Sequence, residues 1–307
     1  MANDAAWIAV DWGTSNLRLW GVAADGAIAF ARDSHDGMGK LTPDNYPGVL
    51  AGLLADTGST ATEILVCGMA GARQGWCEAP YLDTPADLGR LADGAVTPAT
   101  APPGLAVRIL PGVCQRETGA EDVMRGEETQ LLGLRALLHG FSGLVVMPGT
   151  HSKWAMLDGD RLTRFASAMT GEVFEVLKTH SVLRHSFVGD LDPADRDLGF
   201  DAGLTHGLEH PERLTGMLFK TRAAALLSGR SPGWCAGYLS GLLIGAEIGG
   251  LRHWAGSSTS GAEIPLVGGS ALCALYARAF ARIGHATRIV DATDATLAGL
   301  KAARKAL

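Results

Sequence analysis

The stretch Ile8-Ala9-Val10-Asp11-Trp12-Gly13-Thr14-Ser15-Asn16-Leu17-Arg18-Leu19-Trp20 carries an apolar run into an acid and a glycine, turns through hydroxyl side chains, and leaves as a second alternating run. Two strands joined by such a turn can seat an anion. Gly13 lets the backbone approach closely, Thr14 and Ser15 offer hydroxyl and amide donors, and Asp11 can hold a magnesium ion directly or through its water shell. An ordinary hairpin with a polar turn has the same local grammar. The choice between the two readings therefore rests on what else the chain contains.

The grammar returns at Leu144-Val145-Val146-Met147-Pro148-Gly149-Thr150-His151-Ser152-Lys153-Trp154-Ala155-Met156-Leu157, again an apolar run, a Gly-Thr turn and an alternating run. Asp25-Gly26 follows the first hairpin and Asp158-Gly159 the second, each opening a third strand, at Ala27 and at Arg161. Such turn dipeptides also recur by chance, but two homologous lobes is the sharper reading. Between the hairpins the pattern gives a helix over 43–58, a strand over 63–68, a proline-rich surface loop over 93–104, a strand over 105–110 and a helix over 121–138. After them come helices over 171–186, 197–209, 212–227 and 236–254. A strand over 263–267 then runs into Gly268-Gly269-Ser270, followed by a helix over 271–283, a strand over 287–290 and a helix over 293–306. The expected division is an N-terminal lobe over 1–140 and a C-terminal lobe over 141–307, with the final helix packing back on the first lobe.

Composition narrows the class. The chain has 307 residues, 47% of them hydrophobic, and 26 basic against 32 acidic side chains for a net charge of −6. No basic surplus points to nucleic acid or to an anionic membrane, so a small-molecule ligand is expected. The five cysteines, Cys67, Cys77, Cys114, Cys235 and Cys273, form no C-x-x-C pair, which argues against a zinc site or a disulfide framework and for a reducing cytoplasm. The first six residues lack the cationic and apolar regions of a secretory leader. The apolar run over 238–251 is shorter than a bilayer crossing and contains Glu247, so it reads as a buried helix.

Asp11-Trp12-Gly13-Thr14, Pro148-Gly149-Thr150-His151-Ser152-Lys153 and Gly268-Gly269-Ser270 resemble the phosphate-1, phosphate-2 and adenosine motifs of the actin-like ATPase superfamily. Within it the chain resembles the 2-dehydro-3-deoxygalactonokinase family over essentially its full length. The most specific strings are DWGTSNLRLW, the GW-x-x-APYL segment from Gly75 to Leu82, MRGEETQLLG from Met124 to Gly133, MPGTHSKW, MTGE from Met169 to Glu172, and SGLLIGAE from Ser240 to Glu247. The fold this implies is α/β, a two-lobed actin-like ATPase (ribonuclease H-like) fold. Each lobe would be a mixed sheet opened by a three-stranded antiparallel meander and flanked by helices. The activity it implies is transfer of the ATP γ-phosphate to the 6-hydroxyl of 2-dehydro-3-deoxy-D-galactonate, with Mg2+, in galactonate breakdown. A kinase of another sugar or sugar acid, and a nucleotide-binding sensor without catalysis, share the same motifs. Oligomeric state, including a homodimer, stays open.

The resemblance also distributes roles. ATP and its phosphates would meet Asp11, Gly13, Thr14, Ser15, Asn16 and Arg18 at the first turn, with Asp11 positioning the metal. Gly149, Thr150, His151, Ser152 and Lys153 would serve the second turn, and Gly268, Gly269 and Ser270 the adenosine side. Related carbohydrate kinases place a catalytic Asp just before the phosphate-2 hairpin, where this chain has Glu127 and Glu128. Glu127 is the first choice, with the register open by one residue, and acids in a helix's first turn also simply complement its dipole. Met69, Arg73, Gln74 and Trp76, on the loop after the 63–68 strand, and Thr170 and Glu172 are candidates for the sugar acid. Arg73 suits its carboxylate by bidentate geometry, or is a solvated loop charge. Trp76 reads as packing ahead of sugar stacking.

Overall fold

The computed structural model describes residues 5–256 and 263–307; residues 1–4, read above for a leader, lie outside that range. In chain order the elements are β1 (Trp7–Trp12), β2 (Leu17–Val22), β3 (Ile28–Ser34), α1 (Tyr46–Ala55), β4 (Glu63–Gly68), β5 (Tyr81–Asp83), β6 (Ala86–Asp87), β7 (Ala106–Ile109), β8 (Gly112–Gln115), β9 (Asp122–Met124) and α2 (Glu127–Leu137). They continue as β10 (Gly143–Met147), β11 (Ser152–Asp158), β12 (Arg161–Ala168), α3 (Thr170–His180), α4 (Pro193–Glu209), α5 (Leu214–Ser228), α6 (Pro232–Ala255), β13 (Ile264–Gly268), α7 (Ser270–Arg282), β14 (Thr287–Asp291) and α8 (Ala292–Lys305). The chain forms two compact units, neither contiguous in sequence. The first runs to Ser142 and adds Leu157–Phe165 and Asp291–Leu307; the second is Gly143–Met156 with Ala166–Val290.

In the first unit the strand order is β3-β2-β1-β4-β7. The meander β3-β2-β1 is antiparallel, and β4 and β7 extend it in parallel. Strand β1 is therefore central and covered on both faces, which is why Ile8, Ala9 and Val10 form an unbroken apolar run. Its core joins Val10 and Trp12 to Tyr46, Leu50, Val66 and Ile109. Helices α2 and α8 touch almost backbone to backbone: a Cβ on Gly133 would lie 1.8 Å from the Ala295 carbonyl oxygen, and one on Gly299 1.9 Å from that of Thr129. Only hydrogen fits at either position, so α2 is held by close contact rather than by long side chains.

The helix expected over 121–138 is shorter. Residues 122–124 pair as β9 with β8, and α2 begins at Glu127. The cause is Gly126, whose φ of 106° is incompatible with a right-handed helix and favours glycine. Glu127 and Glu128 are thereby placed in the first turn of α2. The helix expected over 171–186 likewise stops at His180, and Ser181 caps a 3-10 turn, accepting the Leu183 amide at 3.0 Å.

In the second unit β10 runs parallel to β13 through Val146 and Leu266, with β11 on one side and β14 beyond β13. Strand for strand, this is the order around β1 and β4, so the two hairpins seed sheets of the same topology, as the repeat leads one to expect. Helix α6 starts at Pro232, earlier than 236, because the Ser231 hydroxyl accepts the Trp234 amide at 3.1 Å and Pro232 suits the first helical position. It is long and apolar enough to cross a membrane by length and composition, yet 78% of its most apolar window is buried inside the protein. Glycines account for this. Gly203 and Gly241 bring α4 and α6 so close that a Cβ on either would meet a carbonyl oxygen of the other helix at 2.1 Å.

Candidate active site

In the first unit Asp11 stands near the end of β1, opposite Arg18 of β2 and beside Cys67 of β4. Burial pushes the Asp11 carboxyl up to about 6; the Arg18 charge pulls it down and the Glu127 charge pushes it up. The turn after it is closed by the Gly13 amide, which donates to the Asn16 carbonyl at 2.8 Å. Behind the turn, the amides of Met38 and Gly39 donate to the carbonyls of Gly13 and Thr14 at 3.0 and 2.9 Å. Gly37 makes this approach possible, since a Cβ there would lie 2.4 Å from the Thr14 carbonyl oxygen. With its carbonyls tied back, the turn presents Thr14, Ser15 and Asn16 outward. Arg18 is also exposed, and its Nη1 donates to Thr293 Oγ1 in the first turn of α8 at 3.4 Å.

The first turn of α2 separates the two glutamates. Glu128 is only 1% exposed. Its Oε2 accepts the Gly126 amide at 2.7 Å and its Oε1 hydrogen-bonds the Thr129 hydroxyl at 3.1 Å. Burial pushes the Glu128 carboxyl up to about 8, the Glu127 charge adding to the rise, so Glu128 carries a proton at neutral pH. Its carboxyl is engaged inside the fold, so of the two adjacent acids Glu127 is the one left partly open. Glu127 is half-buried, accepts the Arg125 amide at 3.1 Å, and acts electrostatically on Asp11. Gly126 and Gly68 bring α2 to the end of β4, since a Cβ on Gly126 would lie 3.4 Å from the Gly68 Cα and one on Gly68 3.4 Å from Asp11 Oδ1.

The loop leaving β4 folds tightly. Gly75 approaches the Met69 and Ala70 carbonyls, and the Trp76 amide donates to the Ala70 carbonyl at 2.8 Å. Arg73 and Gln74 are exposed at its tip, while Met69 is half-buried. Trp76 turns inward: it stacks on Tyr46 at 5.7 Å, meets Trp12 edge-on at 6.0 Å, and donates to Thr100 Oγ1 at 2.9 Å. It is a core residue, and the expectation of a sugar contact is corrected.

In the second unit the turn between β10 and β11 exposes Thr150 and His151. The start of α3 closes on it: the Glu172 amide donates to the Thr150 carbonyl at 3.0 Å, and the Glu172 carboxylate pairs with His151 Nε2. Gly171 permits this, because a Cβ there would lie 2.5 Å from the Gly149 carbonyl oxygen. Beside the turn lies a cavity of about 430 Å³. Gly149, Thr150, Thr170 and Glu172 form its polar end. Its apolar walls come from Phe174 of α3, Leu243 and Ile244 of α6, and Leu272, Leu275 and Tyr276 of α7. Gly268 presses on Pro148, a Cβ there lying 3.0 Å from its carbonyl oxygen, and Gly269 and Ser270 stand exposed at the N-terminus of α7.

The family model described as 2-keto-3-deoxy-galactonokinase matches residues 11–303, a span that holds both turns, the α2 acids and the α7 junction. The chain belongs to the 2-keto-3-deoxy-galactonokinase family. A probable 2-dehydro-3-deoxygalactonokinase of Rhizobium meliloti is 43% identical over 311 residues, covering 100% of this chain and 99% of its own. The 2-dehydro-3-deoxygalactonokinase of Escherichia coli is 36% identical over 297 residues, 97% of each chain. A crystal structure assigned to the same enzyme from Sinorhizobium meliloti superposes with a TM-score of 0.90 at 42% identity over 98% of both chains. The PilM–PilN type IV pilus biogenesis complex contains a chain with TM-score 0.51 and 14% identity, a likeness of fold alone.

Several family motif residues stand where the sequence did not put them. Ser152 is fully buried and hydrogen-bonds the Tyr276 hydroxyl at 2.9 Å, so it faces the core rather than a nucleotide. Lys153 is 5% exposed, its side chain leaving the turn inward along β11. Thr170 and Glu172, expected on the sugar side, line the second unit's cavity with Gly149 and Thr150. Arg125, not singled out, is buried with its guanidinium 4.3 Å over the Tyr81 ring, donating to the Ala79 carbonyl at 2.9 Å. It ties the strand before α2 to the loop after β4. Its presence in MRGEETQLLG was the available signal.

Proposed function

We propose that this chain transfers the γ-phosphate of ATP to the 6-hydroxyl of 2-dehydro-3-deoxy-D-galactonate, giving the 6-phosphate and ADP, in cytoplasmic galactonate breakdown. The observation that carries the reading is the second unit's cavity: its apolar walls suit a purine and ribose, and Gly149 and Thr150 of the second turn line it. Gly269 and Ser270, at the N-terminus of the 13-residue α7, place amide groups where an anion is favoured. The acceptor identity rests on family membership and on the two curated relatives.

In the first unit Glu127 is the proposed base, accepting the proton of the attacking hydroxyl as the new O–P bond forms. Phosphoryl transfer asks mostly for positioning and charge neutralisation, so one oriented carboxylate suffices for that step. Arg73, exposed at its loop tip, is proposed to hold the substrate carboxylate, with Gln74 beside it. Thr14, Ser15 and Asn16 supply outward donors, and Arg18 adds positive charge. Among the described residues no group of three or more His, Cys, Asp or Glu forms a metal cage. Magnesium is commonly held by one or two carboxylates together with substrate phosphates, a role that a single carboxylate beside the first turn fits. Asp11 is the residue proposed to hold it, and the ion when bound would offset negative charge on the phosphates.

The deciding experiment follows ADP release with a panel of sugar acids. Turnover with 2-dehydro-3-deoxygalactonate well above that with the gluconate-derived epimer supports the assignment. Turnover only with another acceptor would replace the substrate, and ATP binding without turnover on any acceptor would replace catalysis by sensing.

A further inference from the structure

The motif SGLLIGAE is absorbed by the proposed reaction only up to its fifth residue. Ser240, Leu243 and Ile244 line the cavity wall, and Glu247 continues the same helical face, at i+3 from Ile244, i+4 from Leu243 and i+7 from Ser240. Yet Glu247 is 7% exposed and sits behind the cavity. Its Oε1 accepts Trp154 Nε1–H at 2.8 Å and its Oε2 accepts the Tyr276 hydroxyl at 2.6 Å. The hydroxyls of Ser152 and Thr170 also reach it. One carboxylate thus gathers donors from β11, α3 and α7, the elements that carry the second turn and close the cavity. Tyr276 faces both ways, with its ring on the cavity wall and its hydroxyl bridging Glu247 to Ser152.

A buried carboxylate is costly, and an apolar side chain of similar volume usually packs as well or better. Stability alone gives little reason for an acid at 247. What an apolar residue would not do is fix the azimuth of the Ser152 and Tyr276 hydroxyls, and with them the turn backbone between Gly149 and Lys153.

We propose that Glu247 is a positioning residue for the phosphate donor, setting the second turn through Ser152 and the cavity wall through Tyr276. The inference rests on the reading of that cavity as the ATP site. It predicts an effect on the donor and none on the acceptor, a division that a merely structural buried acid would not produce.

The test compares Glu247→Met, Glu247→Gln and Tyr276→Phe, the last keeping the ring in the cavity wall. Kinetics are read as KM for ATP, KM for the sugar acid and kcat, with ATP affinity by calorimetry. Glu247→Met is expected to raise KM for ATP about tenfold to a hundredfold and to leave KM for the acceptor within about twofold. Glu247→Gln, whose amide oxygen keeps the Trp154 bond, recovers much of the loss. Tyr276→Phe reproduces it, and combining it with Glu247→Met adds little, as expected for two parts of one network. Unchanged KM for ATP in every folded variant, or an equal change in both substrates, overturns the proposal. If Glu247→Met does not fold, Glu247→Gln and Tyr276→Phe decide. Absence of ATP binding by the wild-type chain would refute the donor reading itself, whereas wild-type binding with unaffected variants refutes only the role of Glu247.

Discussion

The two Gly-Thr turns are alike in front and different behind. Each is backed by a glycine that lets a second segment press on the turn carbonyls, Gly37 on Thr14 and Gly171 on Gly149. Behind the first turn the wall is apolar: Trp12 packs on Tyr46 at 4.6 Å and gives its indole hydrogen to the Asp36 carbonyl at 2.9 Å. Behind the second, Trp154 gives its indole hydrogen to the buried Glu247 carboxylate. The charge placement differs too. The first turn has Asp11 on β1 and Glu127 at the start of α2 beside it, while the second has one exposed acid, Glu172, paired with His151, and a further one, Glu247, sealed in the core. A repeated hairpin therefore supplies the same backbone device twice, and the surroundings differ because the helices brought to each hairpin differ.

The comparison can be broken at four points, taken from the largest effect down. Glu127→Gln should lower kcat by about 10²- to 10⁴-fold, the usual worth of a general base, with ATP affinity by calorimetry within about twofold. Retained turnover would mean that the first unit does not supply the base. Gly37→Ala and Gly171→Ala each drive a methyl into a turn carbonyl. Both should lower kcat/KM for ATP on the order of 10²-fold if the turns are equivalent. A loss in one variant alone would show that only one turn handles phosphate.

Arg73→Met should raise KM for the sugar acid about tenfold through loss of a charged hydrogen bond, leaving KM for ATP in place. An unchanged acceptor KM would return Arg73 to a solvated loop charge. The last effect is on stability rather than turnover and concerns Glu128. In the folded chain it keeps its proton to about pH 8, whereas unfolded it loses it near 4.5. Unfolding thus releases a proton across that window, and stability falls as pH rises through it, by at most about 1.4 kcal/mol per pH unit. Glu128→Gln, which reproduces the protonated hydrogen-bond pattern, should flatten that slope in urea unfolding series at successive pH values. An equally steep slope in the variant would place the ionisation elsewhere.

Much of the fold was legible because burial writes itself as periodicity. The run at β1, the alternation in β2 and their echo at β10 and β11 mark strands whose faces are covered in a fixed way. The helix before the second hairpin was misplaced at its start because its boundary lies in one glycine's backbone conformation. Gly126 is tolerated in a helical pattern until φ is known. Trp76 was ambiguous because an aromatic at a loop beside a site has the same composition whether it stacks on sugar or on Tyr46. Ser152 and Lys153 could not be placed from sequence because β11 is covered on both faces, so both of these adjacent residues are buried although a strand turns them to opposite sides.

What the sequence determined by itself was the repeat, the two sheets it seeds, the acids before the second hairpin and the family those motifs identify. All are local patterns or short strings. Tertiary structure decided which of two adjacent glutamates is available, which tryptophan is core, and that an acid in an otherwise apolar helix ends behind a cavity, bonded to Trp154 and Tyr276. Those outcomes depend on partners distant in sequence and on the cost of burying a charge, which is set by the whole surroundings of a group and not by its neighbours along the chain.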